Sequence, residues 1–139
     1  MEKKFPESSQ LTIDGASQLR HATALLCSIC HNDSWNAGWY FNPKTGEPYT
    51  HDPVPEKIAL IHSEVSEAIE GYRKDLMDDK LPHRKAVEVE LADAIIRIGD
   101  LAGFLKLDVA GAIIEKLAYN RTRKDHQLDS RKTENGKKF

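Results

Sequence analysis

Two short acidic motifs with a defined separation constrain this chain more than any other feature of its sequence. Glu64 and Glu67 form the first motif, Glu90 and Asp93 form the second, and 22 residues lie between the motifs. Each motif falls within a run of apolar residues at three- and four-residue steps, which predicts an amphipathic α-helix. Because residues at i and i+3 share one face of a helix, each motif presents its two carboxylates together.

The spacing also predicts how the two helices meet. If they pack antiparallel about a turn near Asp78 and Asp79, both motifs lie equally far from the turn and face each other. Four carboxylates in contact would repel one another and raise one another's pKa unless a cation neutralised them. Carboxylate oxygens alone favour a hard ion, Mg²⁺ or Mn²⁺, over zinc or iron. The sequence therefore predicts a metal site between the motifs, and the alternative is that these acids are solvated helix faces.

The rest of the chain fits a single all-α domain. At 139 residues, with 40% hydrophobic and 30% charged residues, the chain has the composition of one globular domain. Four amphipathic patterns and no strand pattern predict four helices, the first capped by Asp14 and the fourth by Asp108. We place the domain at residues 1–123 and interpret residues 124–139 as a flexible polar tail.

Charge and hydropathy exclude several classes of function. The formal net charge of −2 provides no basic field for a nucleic acid polymer. No apolar run reaches the roughly 18 to 20 residues of a membrane span, and residues 1–6 lack the apolar stretch of a signal peptide. We therefore expect a cytoplasmic protein that binds neither a membrane nor a nucleic acid polymer.

Residues 35–55 form a distinct loop that is rich in aromatic residues and proline. A loop of this length is uncommon in a compact domain and is often functional. Trp35, Trp39 and Tyr40 offer stacking faces, and Asn36 offers an amide that can read the edge of a nucleobase. The alternative is that these aromatic side chains only pin the loop onto the core.

Two groups of basic and polar residues are candidates for binding phosphate. Lys116, Asn120 and Arg123 recur at i, i+4 and i+7, so they fall on one face of the fourth helix. That face either binds phosphates or is a solvated stripe whose cations favour the helix C-terminus. Arg73 and Lys74, one to two turns after the first motif, are further candidates, and their alternative role is solubility.

Taken together, these motifs resemble the signature of the MazG-like all-α nucleoside triphosphate pyrophosphohydrolases, a family that includes dimeric dUTPases and dCTP pyrophosphatases. The resemblance covers residues 57–123 and includes the amino acids around the motifs, at 91–97 and 115–120. It implies a four-helix-type bundle of MazG-like topology that is completed by homo-oligomerisation, as a dimer or a tetramer. It also implies Mg²⁺-dependent hydrolysis of a (deoxy)nucleoside triphosphate to the monophosphate and pyrophosphate.

Under this hypothesis the residues of the chain take distinct roles. The catalytic residues and metal ligands are Glu64, Glu67, Glu90 and Asp93. Lys116, Asn120 and Arg123 hold the polyphosphate, with Arg73 and Lys74 as further candidates, and Trp35, Asn36 and Trp39 contact the base. Arg97, one turn after Asp93, either donates to phosphate or anchors a carboxylate, and we favour the second. The alternative from another class is a noncatalytic helical oligomer that acts as a nucleotide- or metal-binding regulator.

Overall fold

The computed structural model describes residues 11–139, and the regular structure of this part of the chain is helical. The elements are α1 (Ile13–Asn36), α2 (Val54–Arg73), α3 (Ala86–Phe104), α4 (Val109–Thr122) and α5 (Leu128–Arg131), with a 3₁₀ turn at Lys124–His126. The β-type pairings within residues 11–139 are isolated bridges, so the predicted all-α class is confirmed. None of the helices described combines the length and hydropathy that crossing a bilayer requires.

The described residues divide into two compact units. One is Leu25–Leu107, which contains the C-terminal part of α1, the loop after it, α2 and α3. The other consists of residues 11–24 together with Asp108–Phe139. Both acidic motifs therefore belong to the first unit.

Helices α2 and α3 pack side by side as an antiparallel pair. Near the end of α2, Gly71 lies against Ala86 at the start of α3, and a Cβ on Gly71 would come within 2.9 Å of the Ala86 Cβ. Near the start of α2, the Nζ of Lys57 lies 2.7 Å from Oδ2 of Asp100, which is close to the end of α3. The chain directions are therefore opposed, and the predicted pairing of the two helices is confirmed.

The connection between α2 and α3 is organised by Asp78. Its carboxylate accepts the backbone N–H of Lys80 at 3.0 Å and that of Leu81 at 2.5 Å, and its own N–H donates to the carbonyl of Arg84 at 2.9 Å. Asp78 is 8% exposed, so this short polar side chain satisfies backbone groups inside the turn. The turn predicted near this residue is present, and α3 begins after it at Ala86.

The C-terminal part of α1 packs closely against α3 because α3 carries two glycines on the contact face. A Cβ on Gly99 would lie 3.2 Å from the Cβ of Cys30, and one on Gly103 would lie 2.5 Å from the Cβ of His31. Any side chain at Gly103 would push α1 away from α3. This close approach brings His31 and its neighbours towards the polar face of α3.

The hydrophobic residues that are buried in the described chain are small, apart from one tyrosine: Cys30, Tyr40, Ala68, Ala86, Ala94, Ala102 and Ala110. The apolar stripes that predicted α2 and α3 also contain large side chains, and these large side chains lie outside the buried core. Ile69, Tyr72, Leu91 and Ile95 are each between 49% and 76% exposed. The pair of helices buries its small residues and leaves these four large side chains about half exposed or more.

The helix caps of the second unit follow the predicted chemistry at one position and differ at another. Asp108 caps α4 as predicted, because its Oδ1 accepts the N–H of Gly111 at 2.8 Å. The prediction that Asp14 caps α1 is wrong. Helix α1 begins at Ile13, and the hydroxyl of Thr12 accepts the N–H of Gly15 at 3.0 Å, so Thr12 takes the capping role.

The loop between α1 and α2 spans residues 37–53, two residues shorter at each end than the predicted 35–55. The two ends of this loop segment approach each other, since the N–H of Tyr49 donates to the carbonyl of Tyr40 at 3.0 Å. Gly46 has a φ of 73°, a left-handed conformation that glycine adopts without strain. At the other end of the chain, residues 124–139, predicted as a flexible polar tail, contain the 3₁₀ turn and α5.

Candidate functional site

Three of the four motif carboxylates converge at one point between α2 and α3. One carboxylate oxygen from each of Glu64, Glu90 and Asp93 lies within 4.8 Å of the other two. Glu64 is buried at 7% exposure, and the other two are half-buried. We call these three residues the acidic triad. It arises because the antiparallel register sets the first motif opposite the second.

Glu67 lies close to the acidic triad but outside its convergence point. It is exposed, and its carboxylate accepts a hydrogen bond from the hydroxyl of Ser63 at 3.2 Å. Its charge nevertheless acts on Glu90, where it is one of the causes of a raised pKa. The fourth predicted ligand is therefore near enough to interact electrostatically, without sharing the common point.

Burial and mutual repulsion favour protonation within the acidic triad. Burial raises the pKa of Glu90 to about 7, with further contributions from a hydrogen bond to Glu64 and from the charges of Glu67, Glu64 and Asp93. Burial also raises the pKa of Asp93, the Glu64 charge adds to this, and the Arg97 charge opposes it. A group of acids that resists ionisation in this way is stabilised by any bound cation.

Arg97 provides partial compensation inside the fold. Its Nε–H donates to Oε1 of Glu64 at 2.5 Å, and the side chain of Arg97 is 41% exposed. The interpretation of Arg97 as an anchor for a carboxylate agrees with this contact. The arrangement leaves three carboxylates opposed by one guanidinium.

The donor set of the acidic triad fits a divalent hard cation. All three groups offer carboxylate oxygens, and their oxygens are close enough together to contact one ion. Mg²⁺ binds oxygen ligands of this kind and usually retains several waters, so three protein carboxylates are sufficient. Burial first, and neighbouring carboxylates second, raise the pKa of Glu90 and of Asp93, and a bound cation would favour their ionised forms.

A second polar cluster lies farther along α3, around Asp100. Asp100 is 6% exposed, and both of its carboxylate oxygens are occupied. Oδ1 accepts from Nδ1 of His31 at 3.0 Å and from the hydroxyl of Tyr40 at 2.6 Å. Oδ2 accepts from the hydroxyl of Ser34 at 3.0 Å and from Nζ of Lys57 at 2.7 Å. We call these five residues the Asp100 cluster.

The electrostatics of the Asp100 cluster are opposite to those of the acidic triad. Burial alone would raise the pKa of Asp100, but hydrogen bonds from His31, Lys57 and Tyr40 outweigh burial and hold that pKa below its ordinary value. The same contact raises the pKa of the Tyr40 hydroxyl, after burial as the main cause. Asp100 is therefore an ionised carboxylate, and Tyr40 is a neutral donor to it.

A cavity of about 680 Å³ opens beside both clusters. Asp93 and Arg97 contribute to its wall from the side of the acidic triad, and Ser34, Lys57 and Asp100 contribute from the Asp100 cluster. Its volume lies within the range typical of pockets for small organic ligands. The cavity wall therefore includes members of both clusters, and all of its lining residues belong to the unit Leu25–Leu107.

The predicted base-binding residues are divided between this cavity and the packing of the loop. Trp39 lines the cavity and is 70% exposed. Trp35 instead packs against the rings of Tyr40 and Phe41, with centroid distances of 5.5 and 5.1 Å. Asn36 is the last residue of α1. It is exposed and is not one of the residues that line this cavity. Of the three predicted base contacts, Trp39 alone lines this cavity, and Trp35 packs the loop as the alternative predicts.

Sequence reasoning missed the Asp100 cluster. Asp100 follows Asp93 by seven residues, so it lies two helical turns along the same face of α3, which is a signal that the spacing contains. Lys57 and Tyr40 carry no comparable signal. Their meeting with Asp100 depends on the loop folding back and on the register of α2, which are properties of the tertiary structure.

The predicted phosphate-binding residues are found in both units. In the unit that contains α4, Nζ of Lys116 lies 5.0 Å from the centroid of the Tyr119 ring, and Arg123 forms two hydrogen bonds to Asp125, at 2.6 and 3.0 Å. Asn120 has a buried Oδ1 with no hydrogen-bond partner within residues 11–139. Lys116 remains on the exposed surface of its unit.

Arg73 and Lys74 lie at the C-terminal end of α2. Arg73 pairs with Glu70 at 3.7 Å, and Lys74 forms an ion pair with the same carboxylate. All three side chains are more than 40% exposed, so these pairs contribute little to stability and leave both cations accessible to solvent.

No protein-family model matches this chain, and comparison with curated proteins and with solved structures found no significant similarity.

Proposed function

We propose that this chain is a Mg²⁺-dependent nucleoside triphosphate pyrophosphohydrolase, which hydrolyses a (deoxy)nucleoside triphosphate between its α and β phosphates. The observation that carries the proposal is the convergence of Glu64, Glu90 and Asp93 from two antiparallel helices, beside a cavity of about 680 Å³. Carboxylates that gather a hard cation next to a cavity of ligand size suit the chemistry of phosphate ester and anhydride hydrolysis.

Within this proposal the acidic triad holds the metal, and Glu67 joins it as a fourth carboxylate. Glu67 is exposed, one helical turn after Glu64, and its charge already acts on Glu90, which supports this assignment. When bound, Mg²⁺ would neutralise charge on the phosphate oxygens and help to position the attacking water. One carboxylate of the motifs would accept the proton that this water loses.

The remaining roles follow from the resemblance of the motifs to the MazG-like family. Lys116, Asn120 and Arg123 are assigned to the phosphates of the substrate on that resemblance, with Arg73 and Lys74 as further candidates. Their cationic and amide groups are the types that bind phosphate oxygens. We also propose that the protein is a cytoplasmic enzyme of nucleotide pool control.

We further propose that the chain forms a homodimer or homotetramer, in which helices from two chains complete a four-helix-type bundle of MazG-like topology. The support is the absence of large, fully buried side chains within residues 11–139, together with the exposed apolar faces of α2 and α3. A stable domain normally buries large apolar side chains, since these contribute most of the hydrophobic free energy. A second copy that presents the same faces would bury them in an isologous interface.

The function is tested by measuring pyrophosphate release. The purified protein is given each of eight common NTPs and dNTPs with Mg²⁺, in parallel with Asp93→Asn and with Glu88→Gln as a matched control on α3. Release of pyrophosphate from at least one substrate by the native protein and the control, but not by Asp93→Asn, is the expected result. If no substrate yields pyrophosphate while nucleotide or metal still binds, the noncatalytic regulator is the correct description.

A further inference from the structure

The Asp100 cluster leaves a hydrogen-bond acceptor in the cavity wall. An ionised carboxylate can only accept hydrogen bonds, and Asp100 is held in that state by its three strongest donors. The hydroxyl of Ser34 must therefore donate its hydrogen to Oδ2 of Asp100, across 3.0 Å. Its oxygen lone pairs remain available, and Ser34 lines the cavity. Ser34 thus offers an acceptor to a bound ligand.

The same cluster also leaves a hydrogen-bond donor beside that acceptor. Lys57 carries three N–H groups, of which Asp100 takes one at 2.7 Å, and the Lys57 ammonium lies 4.1 Å from the centroid of the Tyr40 ring. Lys57 also lines the cavity, with its side chain 15% exposed. Because Lys57 and Ser34 bond the same oxygen of Asp100, their polar atoms are neighbours.

A donor next to an acceptor is complementary to one kind of nucleobase edge. Uracil, thymine, guanine and hypoxanthine each present a carbonyl oxygen beside a ring N–H. Cytosine and adenine present the reverse order, an amino group beside an unprotonated ring nitrogen. A site that hydrogen-bonds one order leaves its own polar groups unpaired with the other, which is costly.

Two further features of the cavity suit a base in this position. Trp39 and Tyr49 line the same cavity and are 70% and 39% exposed, so each offers an aromatic face for stacking. The charge of Lys57 is already neutralised by Asp100, which suits Lys57 to a neutral carbonyl more than to a phosphate.

We propose that Ser34 and Lys57, positioned by Asp100, form a base-reading subsite that selects nucleotides whose base carries a carbonyl oxygen beside a ring N–H. Lys57 donates to the carbonyl oxygen, and Ser34 accepts from the ring N–H. This inference rests on the proposed function in taking the ligand of the cavity to be a nucleotide.

The first experiment compares substrates that differ at this edge. Pyrophosphate release is measured for UTP against CTP and for ITP against ATP, as the ratio of kcat/KM within each pair. We expect UTP and ITP to be preferred by about tenfold or more, because the disfavoured edges leave buried polar groups unpaired. Ser34→Ala should narrow both ratios by lowering kcat/KM for UTP and ITP, whereas Ser28→Ala, an exposed position on the same helix, should leave them unchanged. A purely structural role for Ser34 would lower all four values equally and would overturn the inference.

The second experiment does not require turnover or metal. Binding of UMP, CMP, IMP and AMP to the native protein is followed by NMR titration in the presence of a chelator. Preferential binding of UMP and IMP supports the subsite even if Ser34→Ala does not fold, since only the native protein is used.

The two experiments separate the inference from the proposed function. Hydrolysis with equal kcat/KM within each pair would overturn the base-reading subsite and leave the hydrolase intact. Selective binding of UMP and IMP without hydrolysis of any triphosphate would retain the subsite and overturn the hydrolase. If the protein neither hydrolyses any triphosphate nor binds UMP and IMP selectively, both the subsite and the hydrolase are overturned.

Discussion

The Nε–H of Arg97 donates to Oε1 of Glu64 across the α2–α3 pair, with 2.5 Å between the two atoms. The Glu64 side chain is 9% exposed and that of Arg97 is 41% exposed, so a surface guanidinium neutralises a buried carboxylate. Any cation that enters the acidic triad therefore meets a site in which one positive charge is already present. The balance between Arg97 and a bound metal is the first property that can be tested.

Replacing Arg97 should have opposite effects on the metal-free and metal-bound protein. In Arg97→Gln, the buried carboxylate of Glu64 loses its charged partner, which should lower the metal-free unfolding free energy by about 1–3 kcal/mol. Removing the competing positive charge should raise the affinity for Mn²⁺ by about tenfold. Thermal unfolding with a chelator and calorimetric titration with Mn²⁺ measure the two effects. Arg84→Gln, which loses only an exposed pair with Glu88, is the control. Weaker Mn²⁺ binding in Arg97→Gln would contradict the proposed competition.

Removing one charge from the metal site should abolish turnover and leave the fold intact. Asp93→Asn removes an ionised metal ligand. Residues that only orient a metal ligand already change metal affinity or activity by about 10- to 100-fold, so loss of the ligand itself should lower kcat/KM by about 100-fold or more. The metal-free protein should be as stable as the native chain or more stable, since repulsion with Glu64 is relieved. Glu67→Gln should also abolish turnover without unfolding. Circular dichroism and pyrophosphate release check both variants, and marked unfolding of either one would argue against this placement.

The stability of the metal-free protein should fall as the pH rises from about 4.5 to about 7. Burial, a hydrogen bond to Glu64 and neighbouring charges raise the pKa of Glu90 in the folded state to about 7, above the ordinary value of 4.5. Between these values the folded state binds more protons than the unfolded state, so raising the pH favours unfolding. This contribution is fully present below pH 4.5 and is lost above pH 7.

Unfolding temperatures measured with a chelator at pH 5, 6, 7 and 8 would show this dependence. Glu90→Gln should flatten it, because glutamine does not titrate, whereas Glu88→Gln should not. Saturating Mg²⁺ should reverse the trend, since deprotonated carboxylates bind the metal. A metal-free profile that rises between pH 5 and 7 and is unchanged in Glu90→Gln would show that Glu90 is not perturbed as described.

The exposed apolar face of α3 should mediate self-association. The native protein should have a mass in solution of two or four times the chain mass of 15.7 kDa. Ile95→Lys, on a stripe with Leu91 and Ile98, places a charge in that face and should shift the protein towards the monomer. Leu105→Lys, at the end of α3, should not. Light scattering coupled to size-exclusion chromatography measures the masses, and a monomeric native protein would overturn the proposed assembly.

The phosphate-binding assignment predicts a kinetic effect that is separate from the metal. Arg123→Gln and Lys116→Gln should each raise KM by about tenfold through loss of a charge-assisted contact with phosphate. The affinity for Mn²⁺ without nucleotide should not change. Lys124→Gln, next to Arg123 in the chain, is the matched control. Equal effects of all three substitutions would indicate general electrostatics in place of specific contacts.

The parts of this protein that sequence reasoning captured are those governed by local backbone geometry. The steps between apolar residues predicted α2 and α3, and the i, i+3 spacing predicted which carboxylates share a face. The predicted turn near Asp78 then indicated that Glu64 and Asp93 face each other across the two helices. These inferences succeed because the pitch of an α-helix is nearly invariant, so spacing along the chain becomes position in space.

The position of the core did not follow from the same pattern. Periodicity identifies an apolar stripe, but it does not say whether the partner of that stripe is in the same chain. Ala68 and Ala94 are buried between the helices, whereas Ile69 and Ile95, each one residue further along, are more than half exposed. A rotation of about 100° per residue around the helix axis separates these environments, and only the packed structure selects between them.

The sequence by itself determined the helices and the grouping of the acidic side chains, because both depend on short-range spacing. Only the tertiary structure decided that Arg97 neutralises Glu64 and that Lys57 and Tyr40 close on Asp100. Those contacts join residues 33, 43 and 60 positions apart. They depend on how the aromatic loop folds back and on how closely α1 approaches the glycines of α3, which no local rule specifies.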